Sequence, residues 1–367
     1  MEVRVRLESV SPVSWGGYDR DSDPLVVRVP SIRGTMRRWY RWFLASTQGC
    51  PEGGPDPSTI RSSEEAIFGT VHGKEARRSR IRLYFDSLED RNVMTLRGRD
   101  PFLWPLRRRS RTFHMAEFDL IIEGRDCESL LEGVKAFVLN LTLGGFGYRS
   151  ARGYGSFRIS DFEATPPTGR SRSKDHPLDC GDKVKEVGRL LSKAKEVTTA
   201  PNQAVWMDSI EELLRIIEVK TCKEDRFWSI QNMSNAYLVT LRGVGGWRET
   251  LRDLEMRLKM VERSLRPLGR NRPDYRVLLG SPVLDPFRRR PYIWKVRRPS
   301  PLILGLSGVG FTFVRGVLMP SRDYPSGGRP MENVMAHIGN RIEEGFRKVR
   351  EELDRAGFEV KRFKGVS

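Results

Sequence analysis

Four arginines cluster near the start of the chain: Arg33, Arg37, Arg38 and Arg41. Arg33, Arg37 and Arg41 fall at i, i+4 and i+8, so on a helix their guanidinium groups line one flank, with Arg38 beside them. Such a flank is a track for phosphates, because each guanidinium presents a planar fork of donors to phosphate oxygens. Arg33 falls in the first turn, against the positive end of the helix dipole, an unfavourable place unless an anion sits there. The alternative for any charge run is a solvated face paired with acids. Trp39, Tyr40 and Phe43, interleaved with the arginines, are expected in the core.

A second group is Gly144-Gly145-Phe146-Gly147-Tyr148-Arg149-Ser150-Ala151-Arg152-Gly153-Tyr154-Gly155, five glycines among two arginines and three aromatics. Glycines let a backbone approach a polyanion, arginines contact phosphates, and aromatic rings stack on unpaired bases. Gly144, Gly145, Gly147, Arg149, Arg152 and Tyr154 are therefore candidate RNA contacts. A dinucleotide fingerprint follows a strand and opens a helix, whereas this run is expected to follow a helix and precede a strand; a phosphate loop ending Gly-Lys-Ser/Thr is absent. A flexible helix-to-strand turn accounts for the glycines but not for both arginines.

The elements that must hold these groups follow from period. Residues 2–10 alternate as a half-buried strand. Met36, Trp39, Tyr40, Phe43 and Leu44 recur at helical spacing from Ser31, placed as the cap, to Ser46. A Pro- and Gly-rich loop over Cys50–Ser58 leads to a short helix, Glu64–Phe68, stopped by Gly69. Strands are predicted over Arg80–Ser87 and Thr112–Glu123, a helix over Cys127–Leu141, and a strand over Ser156–Phe162. The order is β-α-β-β-α-β, the ferredoxin-like pattern, in which one sheet face carries both helices and the other is left free.

Residues 164–175 have linker composition, and residues 181–220 read as a helical insertion. The β-α-β-β-α-β order then recurs: strand Ala236–Leu241, helix Trp247–Leu265, strands near Tyr292–Val296 and Val309–Val317, helix Glu332–Ala356, strand Phe358–Phe363. The expected fold is α+β, two tandem ferredoxin-like domains at residues 1–165 and 166–367, the second including a helical insertion at about 180–232. At 367 residues the chain suits two cores.

Lys and Arg number 65 against 47 Asp and Glu, a formal charge of +18. A surface laced with ion pairs would balance the signs, so the excess points to a polyanionic partner. Cys50, Cys127, Cys180 and Cys222 are widely spaced with no CxxC pair, which argues against a zinc ribbon or disulfide framework and predicts reduced thiols. No apolar run approaches the ~18 residues that span a bilayer, and the alternating start is no signal-peptide core, so a cytoplasmic protein is expected.

The Gly-rich run after a second helix resembles the signature of the RAMP superfamily of CRISPR-associated proteins. Within it, Ser14-Trp15-Gly16-Gly17, then Val29-Pro30-Ser31-Ile32-Arg33-Gly34-Thr35-Met36-Arg37-Arg38-Trp39-Tyr40-Arg41, then Glu64-Glu65-Ala66-Ile67-Phe68-Gly69 are similar in order and spacing to the family of first-numbered subunits of the type III-B Cmr effector complex. Arg297-Arg298-Pro299-Ser300-Pro301-Leu302 resembles a segment of that family's second domain. The resemblance implies a non-catalytic, RNA-binding subunit in antiviral defence, near the 3′ end of a guide RNA, with guide RNA, target RNA and other RAMP subunits as partners. It implies no catalytic residue, cofactor or metal. The second domain departs from the superfamily pattern, since only Ala356-Gly357 joins its last helix and strand, and its RNA contacts would instead come from Arg288-Arg289-Arg290 and Arg297-Arg298.

Two rivals stand beside this reading. Some RAMP relatives are endoribonucleases that use histidine, or a loop aspartate with a divalent metal, on guide precursor or target RNA. His72, in Thr70-Val71-His72-Gly73-Lys74, is the best histidine candidate ahead of His114, His176 and His337; Asp19, Asp21 and Asp23 are the acidic ones. The other rival is an assembly-only subunit whose basic surface meets acidic partner proteins.

Overall fold

The computed structural model describes residues 1–15, 28–70, 76–96, 111–147, 150–165, 180–222, 233–266, 275, 279, 301–309, 312–320 and 341–364. The first sheet comprises β1 (Glu2–Ser9), β2 (Ile81–Leu96), β3 (Arg111–Gly124) and β4 (Phe157–Thr165), in the order β2-β3-β1-β4, with every pair antiparallel. On β1 the alternation does what its period predicts. Val3, Val5 and Leu7 are fully buried, while Arg4, Arg6 and Glu8 face the other way. Three helices, α1 (Val29–Thr47), α2 (Pro57–Phe68) and α3 (Cys127–Leu143), accompany this sheet, with Met36, Trp39, Phe43, Leu130, Val134 and Phe137 in its core.

Two helix starts differ from their expected positions. The cap of α1 is Arg28 rather than Ser31, it makes no side-chain cap bond, and Pro30 occupies the first turn, where its missing N–H is not needed. Helix α2 begins well before Glu64, because the Asp56 carboxylate accepts from the Ser58 and Thr59 amides and turns the presumed loop into a first helical turn.

Helices α4 (Gly181–Thr198) and α5 (Gln203–Ile216) follow. Chain order assigns them to the second half, but Val187, Leu190, Leu191, Trp206, Ile210 and Leu213 pack in the core of the first. The expectation of reduced thiols is overturned here. Cys127, opening α3, is bonded to Cys180 at the cap of α4, and Cys50 is bonded to Cys222 beyond α5, with Cα separations of 6.0 and 5.7 Å. Spacing along the chain says nothing of these distances, since the partners are brought together by packing of the helical pair.

The second sheet comprises β5 (Tyr237–Gly245), β6 (Leu302–Ser307), β7 (Thr312–Leu318) and β8 (Glu359–Arg362), antiparallel in the order β6-β7-β5-β8. Helices α6 (Trp247–Ser264) and α7 (Ile342–Arg355) complete it. Unlike the first sheet, β6 and β7 are buried throughout. Leu304, Leu306 and Val314 pack with Leu251, Leu254 and Phe346 of α6 and α7, whereas Ile303, Phe313 and Val317 join the first core. The strand expected near Tyr292–Val296 lies outside the described residues, as do Arg288, Arg289, Arg290, Arg297 and Arg298; the strand that pairs with β7 is Leu302–Ser307.

Candidate nucleic-acid interface

Helix α1 presents the four arginines in two different states. Arg37 and Arg41 both engage Glu64 of α2: Arg37 Nε donates to Oε1 at 2.5 Å, Arg41 Nη2 donates to Oε1 at 3.0 Å, and Arg41 Nε donates to Oε2. Glu64 is 3% exposed, so this carboxylate is wrapped by the two guanidinium groups. Arg33 and Arg38 make no ion pair among the described residues. Arg38 is exposed, with its guanidinium 6.0 Å from the Trp42 ring centroid. Arg33 is partly buried and its Nε has no hydrogen-bond partner; burial, and then Arg37, lower its pKa. Four arginines against one glutamate leave three net positive charges on this part of α1. Its N-terminus has no side-chain cap and no acidic residue in the first turn. Trp39, Tyr40 and Phe43 are core residues, as expected.

The Gly-rich run lies at the junction of the two sheets. Gly144 caps α3, and a Cβ there would come within 2.9 Å of Trp39 Nε1, so glycine lets the end of α3 close on α1. Gly145 packs on the Gly155 backbone, and the Phe146 amide donates to the Gly155 carbonyl at 2.8 Å. Gly147 takes φ +78° beside the Ser14 carbonyl, where no Cβ fits. The Phe146 ring stacks with Trp15, centroids 6.0 Å apart, so two of the segments that carry the family resemblance pack on each other. Arg149 lies outside the described residues. Arg152 extends to Glu262 of α6 at 3.2 Å, and its backbone pairs with Leu304 of β6. Tyr154 is 1% exposed in the core of the second unit, its ring 5.1 Å from that of Phe113, so the ring packs there and offers no face to a base.

The outer face of the first sheet is anionic. Register sets Asp86 opposite Asp119, Glu89 opposite Glu117 and Glu2 opposite Glu123. Arg4 and Arg6 of β1 lie between these rows and bond to them, Arg4 to Asp86 and Asp119, Arg6 to Glu117 at 2.6 Å. Arg158 bonds to Glu8 and Arg82 to Glu123. Among the described residues Arg4, Arg6, Arg82 and Arg158 of this sheet are thus each held by a carboxylate.

No family model matches the sequence, and no curated protein matches it. Solved structures do match. The apo crystal structure of Cmr1 from Pyrococcus furiosus aligns over 93% of this chain and 97% of its own, with a TM-score of 0.55 and 18% identity. The chain has the Cmr1 fold. Two cryo-EM structures of the type III-B Cmr-beta bound to cognate target RNA, one of them also with AMPPnP and in the presence of ssDNA, contain chains that align at TM-scores of 0.59 and 0.60. Their identities are 12% and 14%, with at least 96% of both chains covered.

Of the rival residues, this Cmr1 fold describes His114. His114 is 5% exposed on β3, and its backbone exchanges both hydrogen bonds with Val13. His72, His176, His337, Asp19, Asp21 and Asp23 lie outside the described residues. Among the described residues no group of three or more His, Cys, Asp or Glu side chains is placed to hold a metal ion, and no helix is long and apolar enough to cross a membrane. Glu64 is the residue that pattern reading missed. Its signal was a glutamate on the second helix of a chain whose first helix carries arginines four apart.

Proposed function

We propose that this chain is a non-catalytic, RNA-binding subunit of a type III-B CRISPR RNA-guided effector complex, built from tandem ferredoxin-like units. It contacts the guide RNA near its 3′ end, the target RNA, or both, beside other RAMP subunits. The fold reading is supported by the repeated antiparallel order, in which the second, third, first and fourth strands of each unit lie side by side in both sheets. One observation carries the RNA reading: α1 holds more arginine than Glu64 neutralises, and its N-terminus, uncapped and free of acidic residues, adds the positive end of a helix dipole beside Arg33. In this reading Arg33 and Arg38 contact phosphates directly. Arg37 and Arg41, set by Glu64, supply the remaining charge, and the Gly-rich run contributes through Arg149. Such contacts position a strand without reading its bases.

The test is binding of purified protein to labelled single-stranded RNA across a salt series, comparing wild type with the double variant Arg33→Ala, Arg38→Ala. Each lost phosphate contact flattens the log-log slope by about 0.7. Weaker binding with a slope shallower by about 1.4 is expected. Identical binding, or no binding by either protein, would hand the basic surface to protein partners and leave an assembly-only subunit.

A further inference from the structure

The second unit grips the Gly-rich run at both ends. Arg315 lies on the β7 face turned toward the first core and is 0% exposed. Its guanidinium donates to the Thr142 carbonyl and, at 2.7 Å, to the Leu141 carbonyl, in the last turn of α3. That turn has no basic residue of its own, so the cation at the negative end of this helix comes from 173 residues further along the chain. Among the described residues no carboxylate pairs with Arg315. Burial pulls its pKa down to about 9, which still leaves it charged at neutral pH. Gly305 stands opposite Arg315 in register, and a Cβ there would come within 3.0 Å of the Gly144 carbonyl and 3.2 Å of the guanidinium, so glycine keeps the path open. At the far end the Leu306 amide donates to Ser156 Oγ at 2.8 Å, and between the two ends the Gly153 amide donates to the Leu304 carbonyl, also at 2.8 Å.

For stability alone, an apolar side chain would serve this position as well or better, because an arginine without a counter-ion carries a desolvation penalty that packing does not require. We propose that Arg315 is a positioning residue for the Gly-rich run: by holding the end of α3 from the second unit, it sets the course of the backbone from Gly144 and couples the arrangement of the two units to RNA binding. This rests on the RNA reading given above.

The experiment uses the full chain with Arg315→Met, Arg315→Lys and, as a reference, Arg149→Ala. Amide hydrogen exchange over residues 144–156 is measured alongside single-stranded RNA binding across salt. Arg315→Met is expected to speed exchange of these amides about tenfold and to flatten the salt slope by about 0.7, the loss of one phosphate contact. Arg315→Lys, which keeps the charge, is expected to restore part of both. Should Arg315→Met fail to fold, Arg315→Lys carries the test by itself, and wild-type exchange in it overturns the proposal. Faster exchange with wild-type RNA binding, where Arg149→Ala loses RNA, also overturns the positioning role and leaves the RNA reading intact. Faster exchange with RNA binding unchanged in all three variants overturns the coupling because the run is then no RNA contact.

Discussion

Arg37 on α1 and Glu64 on α2 are joined at 2.5 Å, and Arg41 closes on the same carboxylate from the next turn. One buried acid thus holds two helices together and decides which arginines of the row remain available. Glu64→Gln keeps the shape and removes the charge. The expected destabilisation is about 1–3 kcal/mol, toward the lower end because the guanidinium partners are partly exposed, and the salt slope of RNA binding should steepen. Denaturant midpoints and an RNA salt series check both. A variant as stable as wild type with an unchanged slope would mean that Glu64 neither braces the helices nor offsets the track.

Arg149 and Arg152 sit three residues apart but should behave differently. Arg152 is committed to Glu262 at 3.2 Å across the two units. Its alanine variant should lose about 1 kcal/mol of stability and keep the wild-type salt slope. Arg149→Ala should do the reverse, with unaltered thermal stability and a slope shallower by about 0.7. Equal effects of the two on RNA binding would contradict this division of roles.

The disulfides close segments of 172 and 53 residues, one at each end of the α4–α5 pair. Each is expected to contribute about 2–4 kcal/mol, so reductant should lower the thermal midpoint by several degrees. In its absence, alkylation of the unfolded chain should add no mass. Four alkylated thiols in protein purified without reductant would show that the bridges are not formed.

Asp56 reports on acid stability. Hydrogen bonds from the Thr59 and Ser58 side chains, then from their amides, hold its pKa at about 2. That lies below the unfolded carboxylate value of about 3.9, so the contribution of the cap is complete above pH 4 and is lost as pH falls toward 2. Asp56→Asn keeps a capping oxygen without the charge. The wild-type advantage in thermal midpoint should therefore shrink between pH 4 and pH 2 and vanish below it. A constant difference across that window would rule out the ionised cap.

Much of the architecture was legible because it is written in period. Val3, Val5 and Leu7 alternate, Leu130, Val134 and Phe137 recur at helical spacing, and each meets the core its pattern demands. Where a pattern requires one wet face, it disappears when both faces are covered. Strand β6, Leu302–Ser307, is buried on both sides and shows no alternation, so period gives no sign of it. Likewise Arg315 is a charged residue in an apolar strand, with nothing local to reveal that its partners are the carbonyls of a helix end.

The α+β element order, the excess of arginine and the Gly-rich run between a helix and a strand follow from residue type and near-neighbour spacing along the chain. Which of those residues are available depends on packing in three dimensions. Glu64 claims Arg37 and Arg41, Glu262 claims Arg152, the second core takes Tyr154, and the cysteines find one another across 53 and 172 residues. The reason is physical: a side chain's charge, pairing and exposure depend on what lies within a few ångströms of it, and in a folded chain those neighbours come from anywhere along the sequence.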